Sequence, residues 1–329
     1  MSTIDLKFIE VLKTRMHRCL LPNSLPKITS THVSDLGSFI TFLVSYDISK
    51  CFQTYVKLDE KVSINRIFSA LSNCWVNELK RVIDLTHTSH KLREFIEIYL
   101  SRFELSEFIN VLREWEHINK EHYYFLKAEV LGKVSYARSV SDLISILKEV
   151  RRPWSHLFIY VLSKFSNLSL GDLNVSTVEE LVYERFWRDL TATSRKLNPK
   201  IKLASCLRTI QMVSKLEREV RRAIINKEEV SGVLRKVPAV ISSAVEAARA
   251  SSQELDTLFG AIKYMYCINE LMFSPLSYDT VLNYLLIKEW ESFLISFITY
   301  LIARGFDKEY ILERIGRWWK VYGYLIKNK

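Results

Sequence analysis

The chain has 329 residues, room for one large core or two to three smaller ones at roughly 100 to 200 residues per domain, and only eight glycines and six prolines. So few turn formers among abundant Leu, Ile, Lys, Glu and Arg disfavour a turn-rich sandwich and predict an all-α protein. Lys and Arg outnumber Asp and Glu by 47 to 37, a formal net charge of +10 that suits an anionic partner, whether nucleic acid, phospholipid surface or acidic protein.

Residues 4 to 20 place Ile4, Phe8, Leu12 and Met16 on one stripe, an amphipathic helix that ends at Pro22. Asp5 and Glu10 interrupt its apolar run, which disfavours a cleaved signal peptide. Ser24 to Asp35 is polar, contains Pro26 and reads as a loop. Leu36 to Cys51 reads as one buried helix with Gly37 in its first turn; its aromatic and β-branched residues would also suit a strand, but no partner strand is visible nearby. From Ser63 to Leu85 the pattern is helical, and residues 87 to 90 break it.

Lys91 to Ile118 is the first long helix with acids in its middle, Glu104 and Glu107. Residues 119 to 175 give shorter helices broken at Gly132, Pro153 and Gly171, and Thr177 with Glu180 forms a capping box that opens the next helix. Lys202 to Asn226 is a second long helix, carrying Glu217, Arg218 and Glu219 in its middle. Beyond Pro238 two helices meet near Ser251, where Ser-x-x-Glu is another capping box.

The last long helix has apolar residues round most of its wheel from Val281 to Ile302, so packing must surround it. Pro275 bars the preceding helix, Ser277 caps the new start, Gly305 supplies a left-handed stop and Asp307 opens a shorter helix. Lys288, Glu289 and Glu291 interrupt the apolar surface, and each must reach solvent or find a partner. Lys288 and Glu291, three residues apart, can pair on one face, while Glu289 points elsewhere and is expected to meet another surface. Its longest uncharged apolar run, Ser292 to Ala303, is about a dozen residues, short of the roughly 20 that a bilayer span requires.

Three long helices thus each set an acid beside an apolar residue: Glu107 before Phe108, Glu219 before Val220, and Glu291 just before Phe293. We read this as an irregular threefold repetition, with subdomains at 1–118, 119–228 and 229–329.

Little points to chemistry. The five cysteines, Cys19, Cys51, Cys74, Cys206 and Cys267, are odd in number and widely spaced, and are expected to be reduced core residues of a cytosolic protein. Neither they nor the pairs His87/His90 and His117/His122 form a metal-ligand pattern. Glu289 and Glu291 diverge on a helix; Glu104 and Glu107 share a face but read as a solvated pair. No phosphate-binding glycine loop occurs, nor the paired Asp-rich motifs of an isoprenoid synthase. Lys215, Arg218, Arg221 and Arg222 form a basic stripe that reads either as a solvated face or as a contact with an acidic partner or with headgroups. Arg317, Trp318, Trp319 and Lys320 would suit a membrane interface, although packing of the tryptophans on the last long helix explains them better.

The segment VLNYLLIKEWESFLISFITYLIARGFDKEYILERI resembles the C-terminal signature of the C-subunit family of archaeal A-type ATP synthases, whose counterpart in V-type ATPases is the d-subunit. Tyr284, Lys288, Glu289, Glu291, Arg304, Gly305, Glu309 and Ile311 occupy the matching positions. Arg15 to Leu21 is similar to the family's basic start before a Leu-Leu pair, and Asp35 to Phe52 to its short helix leading to a Tyr. The small-residue turn usual after that Tyr is absent behind Tyr46. Leu112 and Arg113 fit the end of the family's first long helix, with Glu104 in place of an Asp.

The resemblance implies a funnel-like array of three similar helical subdomains on the cytoplasmic face of the cell membrane. It would be a non-catalytic coupling subunit between the central stalk and the proteolipid ring, passing torque during ion transport. It implies no cofactor, no metal, no small-molecule substrate and no nucleic acid. The alternative from composition alone is a basic, all-helical nucleic-acid-binding protein.

Overall fold

The computed structural model describes residues 3–55, 64–85, 90–118, 123, 125–197, 202–227, 232, 239–248, 254–272 and 277–327. The described residues are all-helical, with no strand and one isolated bridge between Ser139 and Ser169. They divide into two compact units, residues 1–77 with 200–329, and residues 78–199. These cuts do not coincide with the subdomain bounds expected at 118 and 228.

The first unit is built on the last long helix. In chain order it contains α1 (Thr3–Met16), a short 3-10 helix (Pro22–Lys27), α2 (Leu36–Leu43), α3 (Ser49–Tyr55) and the first part of α4 (Ile64–Leu85). The chain returns to it through α10 (Leu203–Ile225), α11 (Ala239–Ala248), α12 (Leu255–Met272), α13 (Tyr278–Ala303) and α14 (Lys308–Lys327). Every residue of α13 from 279 to 291 is buried, as its all-round apolar wheel requires, because α1 and α2 pack on it as well as α12 and α14. Each fully buried Leu or Ile there contributes about 1.5–3 kcal/mol. At Gly260 of α12 an added Cβ would stand 3.2 Å from the Phe293 ring, so the missing side chain lets α13 approach.

The second unit holds the end of α4, α5 (His90–Arg113), α6 (Ala128–Val134), α7 (Val140–Val150), α8 (Pro153–Leu162) and α9 (Val175–Leu197). Its core forms where α5, α8 and α9 pack on one another, around Phe108, Trp154 and Phe158.

Several local expectations are corrected. The polar stretch Ser24 to Asp35 is a loop from Ile28 onward, as expected, but its first residues belong to a 3-10 helix begun by Pro22, whose missing N–H costs nothing at a helix start. The helix expected from Leu36 to Cys51 is two helices. Between them the Asp47 N–H leaves the helical ladder to donate to the Arg18 carbonyl at 2.8 Å. Gly132 breaks no helix but lies inside α6, whereas Pro153 starts α8 and Gly171 falls between helices, as expected. The box expected at Thr177 is replaced by Asn174, whose side-chain oxygen accepts the Thr177 N–H at 3.0 Å one turn into an earlier start. Ser277 stands at the N-cap of α13 but makes no side-chain cap bond. Pro238, Ser251 and Pro275 lie outside the described residues.

The cysteines bring the largest correction. Cys51 of α3 and Cys74 of α4 are joined in a disulfide, with Cα atoms 5.7 Å apart. Cys19, Cys206 and Cys267 take part in no disulfide, and all three are buried. The apolar surroundings suggested five reduced thiols, but the pairing depends on how two helices lie, which spacing does not reveal.

Candidate functional site

The expected pair in α13 forms: Lys288 Nζ lies 2.8 Å from Glu291 Oε2. Neither charge reaches water, since Lys288 is 7% exposed and Glu291 0%. The remaining partners come from the other end of the chain. Lys288 Nζ also reaches Asp47 Oδ2 at 3.1 Å, and Arg15 Nη2 meets the same oxygen at 2.7 Å. The second oxygen of Glu291 accepts the Leu20 N–H at 2.6 Å, a main-chain donor left over after α1 ends at Met16.

Two cations and two anions are thus gathered in one place, Lys288 and Glu291 buried and Arg15 and Asp47 half-buried, with the Tyr284 ring beneath both cations, 5.5 Å from Arg15 and 6.0 Å from Lys288. Burial by itself would strip the charge from Lys288, but Glu291 and its neighbours outweigh it and raise the ammonium pKa well above its ordinary value. Burial likewise pushes Asp47 up, and Lys288 and Arg15 pull it to a net position below the usual carboxylate range. Burial drives the nearby Cys19 thiol far up, so it stays a neutral, inert thiol. Lys288 is thereby held as a cation and Asp47 as an anion. The cluster is a lock between chain segments.

The other residues singled out in the sequence fall as follows. Glu289, expected to meet another surface, is itself 4% exposed and buried within the chain. Gly305 has φ of 76° and sits in a Schellman stop, with its own N–H on the Ile302 carbonyl and the Phe306 N–H on that of Leu301. Trp318 is buried, 5.4 Å from Phe293 and 4.5 Å from Phe297, whereas Trp319 is exposed. On α10, Lys215 lies 3.9 Å from Glu219, and Arg221 lies 3.2 Å from Glu217, which also binds Lys263 at 3.0 Å. Arg222 is exposed and Arg218 partly so. The stripe exists, but acids on its own helix partly neutralise it.

In the second unit the acids of α5 do not form a solvated pair. Glu104 meets Arg152 at 3.2 Å, and its burial raises its carboxyl pKa against that guanidinium. Glu107 accepts the main-chain N–H groups of Phe125 and Leu126 at 2.9 and 2.8 Å, just ahead of α6. Glu107 and Glu291 therefore do the same work: a mid-helix acid of a long helix receives the amides of a segment leading into a short one.

The sequence pointed to Lys288, Glu291 and Tyr284 but missed Asp47 as a member. The one signal available for it was a charged residue inside an otherwise apolar stretch. Among the described residues no group of three His, Cys, Asp or Glu could hold a metal ion, and no helix is long and apolar enough to cross a membrane. His87 and His122 lie outside the described residues. Neither a protein-family model nor any curated protein matches the chain.

Proposed function

We propose that this chain is a non-catalytic coupling subunit of a rotary A-type or V-type ATPase, as its C-terminal segment suggests by resemblance. The observation that supports this reading is the meeting of two sequence blocks. Arg15 to Leu21 and Tyr284 to Glu291 carry the resemblance independently, and they close on each other through the Leu20–Glu291 bond across 271 residues of chain. A family motif made of buried charges is explained when those charges hold the fold of a part that bears load. The shared use of Glu107 and Glu291 supports a common plan for the blocks 1–118 and 229–329, and the resemblance extends it to 119–228 in a funnel-like array.

In this reading the chain sits at the cytoplasmic face of the cell membrane, on the proteolipid ring. It receives the base of the central stalk and transmits torque during ion transport, with no bond chemistry, cofactor or nucleic acid of its own. The basic stripe of α10 and the net charge of +10 suit acidic stalk surfaces or anionic headgroups.

Reversing Arg218, Arg221 and Arg222 to Glu tests the stripe. Stalk affinity falls at least about tenfold, equivalent to about 1.4 kcal/mol, and ATP hydrolysis in vesicles loses its coupling to ion transport, while the helical circular dichroism signal stays the same. Unchanged affinity and coupling would assign the stripe to solvent.

A further inference from the structure

The helix α14 carries two apolar seams, one residue apart. Ile311, Ile315, Trp318, Tyr322 and Leu325 are buried and join the core of the first unit. Leu312, Gly316, Trp319, Gly323 and Ile326 follow the same spacing on the neighbouring side, where Trp319 is 38% exposed, Ile326 is 44% exposed and the other three are half-buried. Apolar residues set alternately four and three apart, here over about 21 Å of helix, form the seam by which one helix packs on another. The glycines in it are not called for by the chain's own packing. A glycine weakens the interior of a helix relative to alanine, yet a Cβ added at Gly316 or Gly323 would meet nothing within 4 Å. Large side chains and missing ones thus alternate along the outer seam as knobs and dips.

We propose that the outer seam of α14 pairs antiparallel with the same seam of a second copy of this chain. The pattern selects both the occupant and the direction. About a two-fold axis, antiparallel helices set Trp319 over Gly316 of the second copy and Leu312 over Gly323 of the second copy, and each contact occurs twice. A parallel pair would set Trp319 against Trp319 and glycine against glycine, a clash beside a gap. The charges agree with this direction. One flank of the seam carries Glu309 and Glu313 in its first half and Lys320 and Lys327 in its second, all exposed. Antiparallel helices lay the acidic half of each along the basic half of the other, which brings Glu313 beside Lys320 of the second copy. Glu313 holds its own Arg317 at 2.7 Å and still keeps 60% of its side chain exposed for that contact. One pair of helices buries less than the roughly 800 Å² per partner of a standard interface, so the dimer forms and parts with concentration. The inference is independent of the coupling role.

Sedimentation velocity of the purified full chain, run from about 1 to about 200 µM, should show monomer passing into dimer. Gly316→Leu fills the dip that receives Trp319 and should leave only monomer, while the thermal midpoint does not fall, because the new side chain enters open space in its own chain. If that variant fails to fold, Trp319→Ala removes the knob from an exposed site and makes the same comparison. Lys320→Glu should raise the dissociation constant about tenfold, and adding Glu313→Lys should restore it, since exchanging two facing charges rebuilds the pair. A chain that stays monomeric throughout would overturn the proposal and leave the seam to a protein of another sequence. A dimer that Gly316→Leu leaves intact, or one that the double charge exchange does not restore, would overturn it as well.

Discussion

At the scale of the residue, the decisive feature is a set of charges placed where charges are expensive. Removing one partner of a buried pair strands the other, so Lys288→Met should lower the unfolding free energy by about 3–5 kcal/mol in a denaturant titration. Replacing Lys288 and Glu291 together by apolar residues should recover part of that loss, less the Leu20 amide that Glu291 leaves without its acceptor. A double variant no better than the single one would show that the charges do not act as a pair. The same cluster sets a pH window. The folded pKa of Asp47 is depressed, so its stabilisation is complete above the ordinary 3.8 and fades as pH falls below that. The folded pKa of Lys288 is raised, so its stabilisation is complete below the ordinary 10.5 and fades as pH climbs past that value. Thermal midpoints measured from pH 3 to 11 should therefore drop at both ends, and Asp47→Asn should flatten the acid side.

At the scale of the element, caps and stops separate what the sequence shows from what it hides. Gly305 was legible because a left-handed residue after a long apolar run has one cheap solution, and Gly305→Ala should cost about 1–2 kcal/mol. Ser277 was legible only as a residue type. It occupies the cap position without making the bond, so Ser277→Ala should be nearly neutral, whereas Asp35→Ala should cost about 1 kcal/mol by removing the bond to the Ser38 N–H. Equal losses at the two caps, read by thermal melts, would contradict this. The all-α class and the span of α13 followed from periodicity, and the Lys288–Glu291 pair from a spacing of three. The break between α2 and α3 did not, because it goes with the Asp47 N–H leaving the ladder for the Arg18 carbonyl, a partner far off in the chain. The Cys51–Cys74 bond escaped for the same reason: spacing within a chain says little about which helices come to lie side by side.

At the scale of the molecule, the N-terminal segments and α13 belong to one compact unit, with residues 78–199 forming another. The first unit is closed by contacts between the earliest and latest parts of the chain, so truncating either side of the Arg15–Glu291 cluster removes the partners of the other. Such closure suits a part that must carry force without opening, since the buried ions resist separation. The proposed coupling role is most directly tested by isolating the tagged full-length chain from detergent-solubilised membranes of its own cells and identifying what accompanies it. The account predicts that the proteolipid and the central-stalk subunits co-purify with it in constant ratio. A chain recovered alone, or one accompanied by nucleic acid that high salt removes, would contradict it.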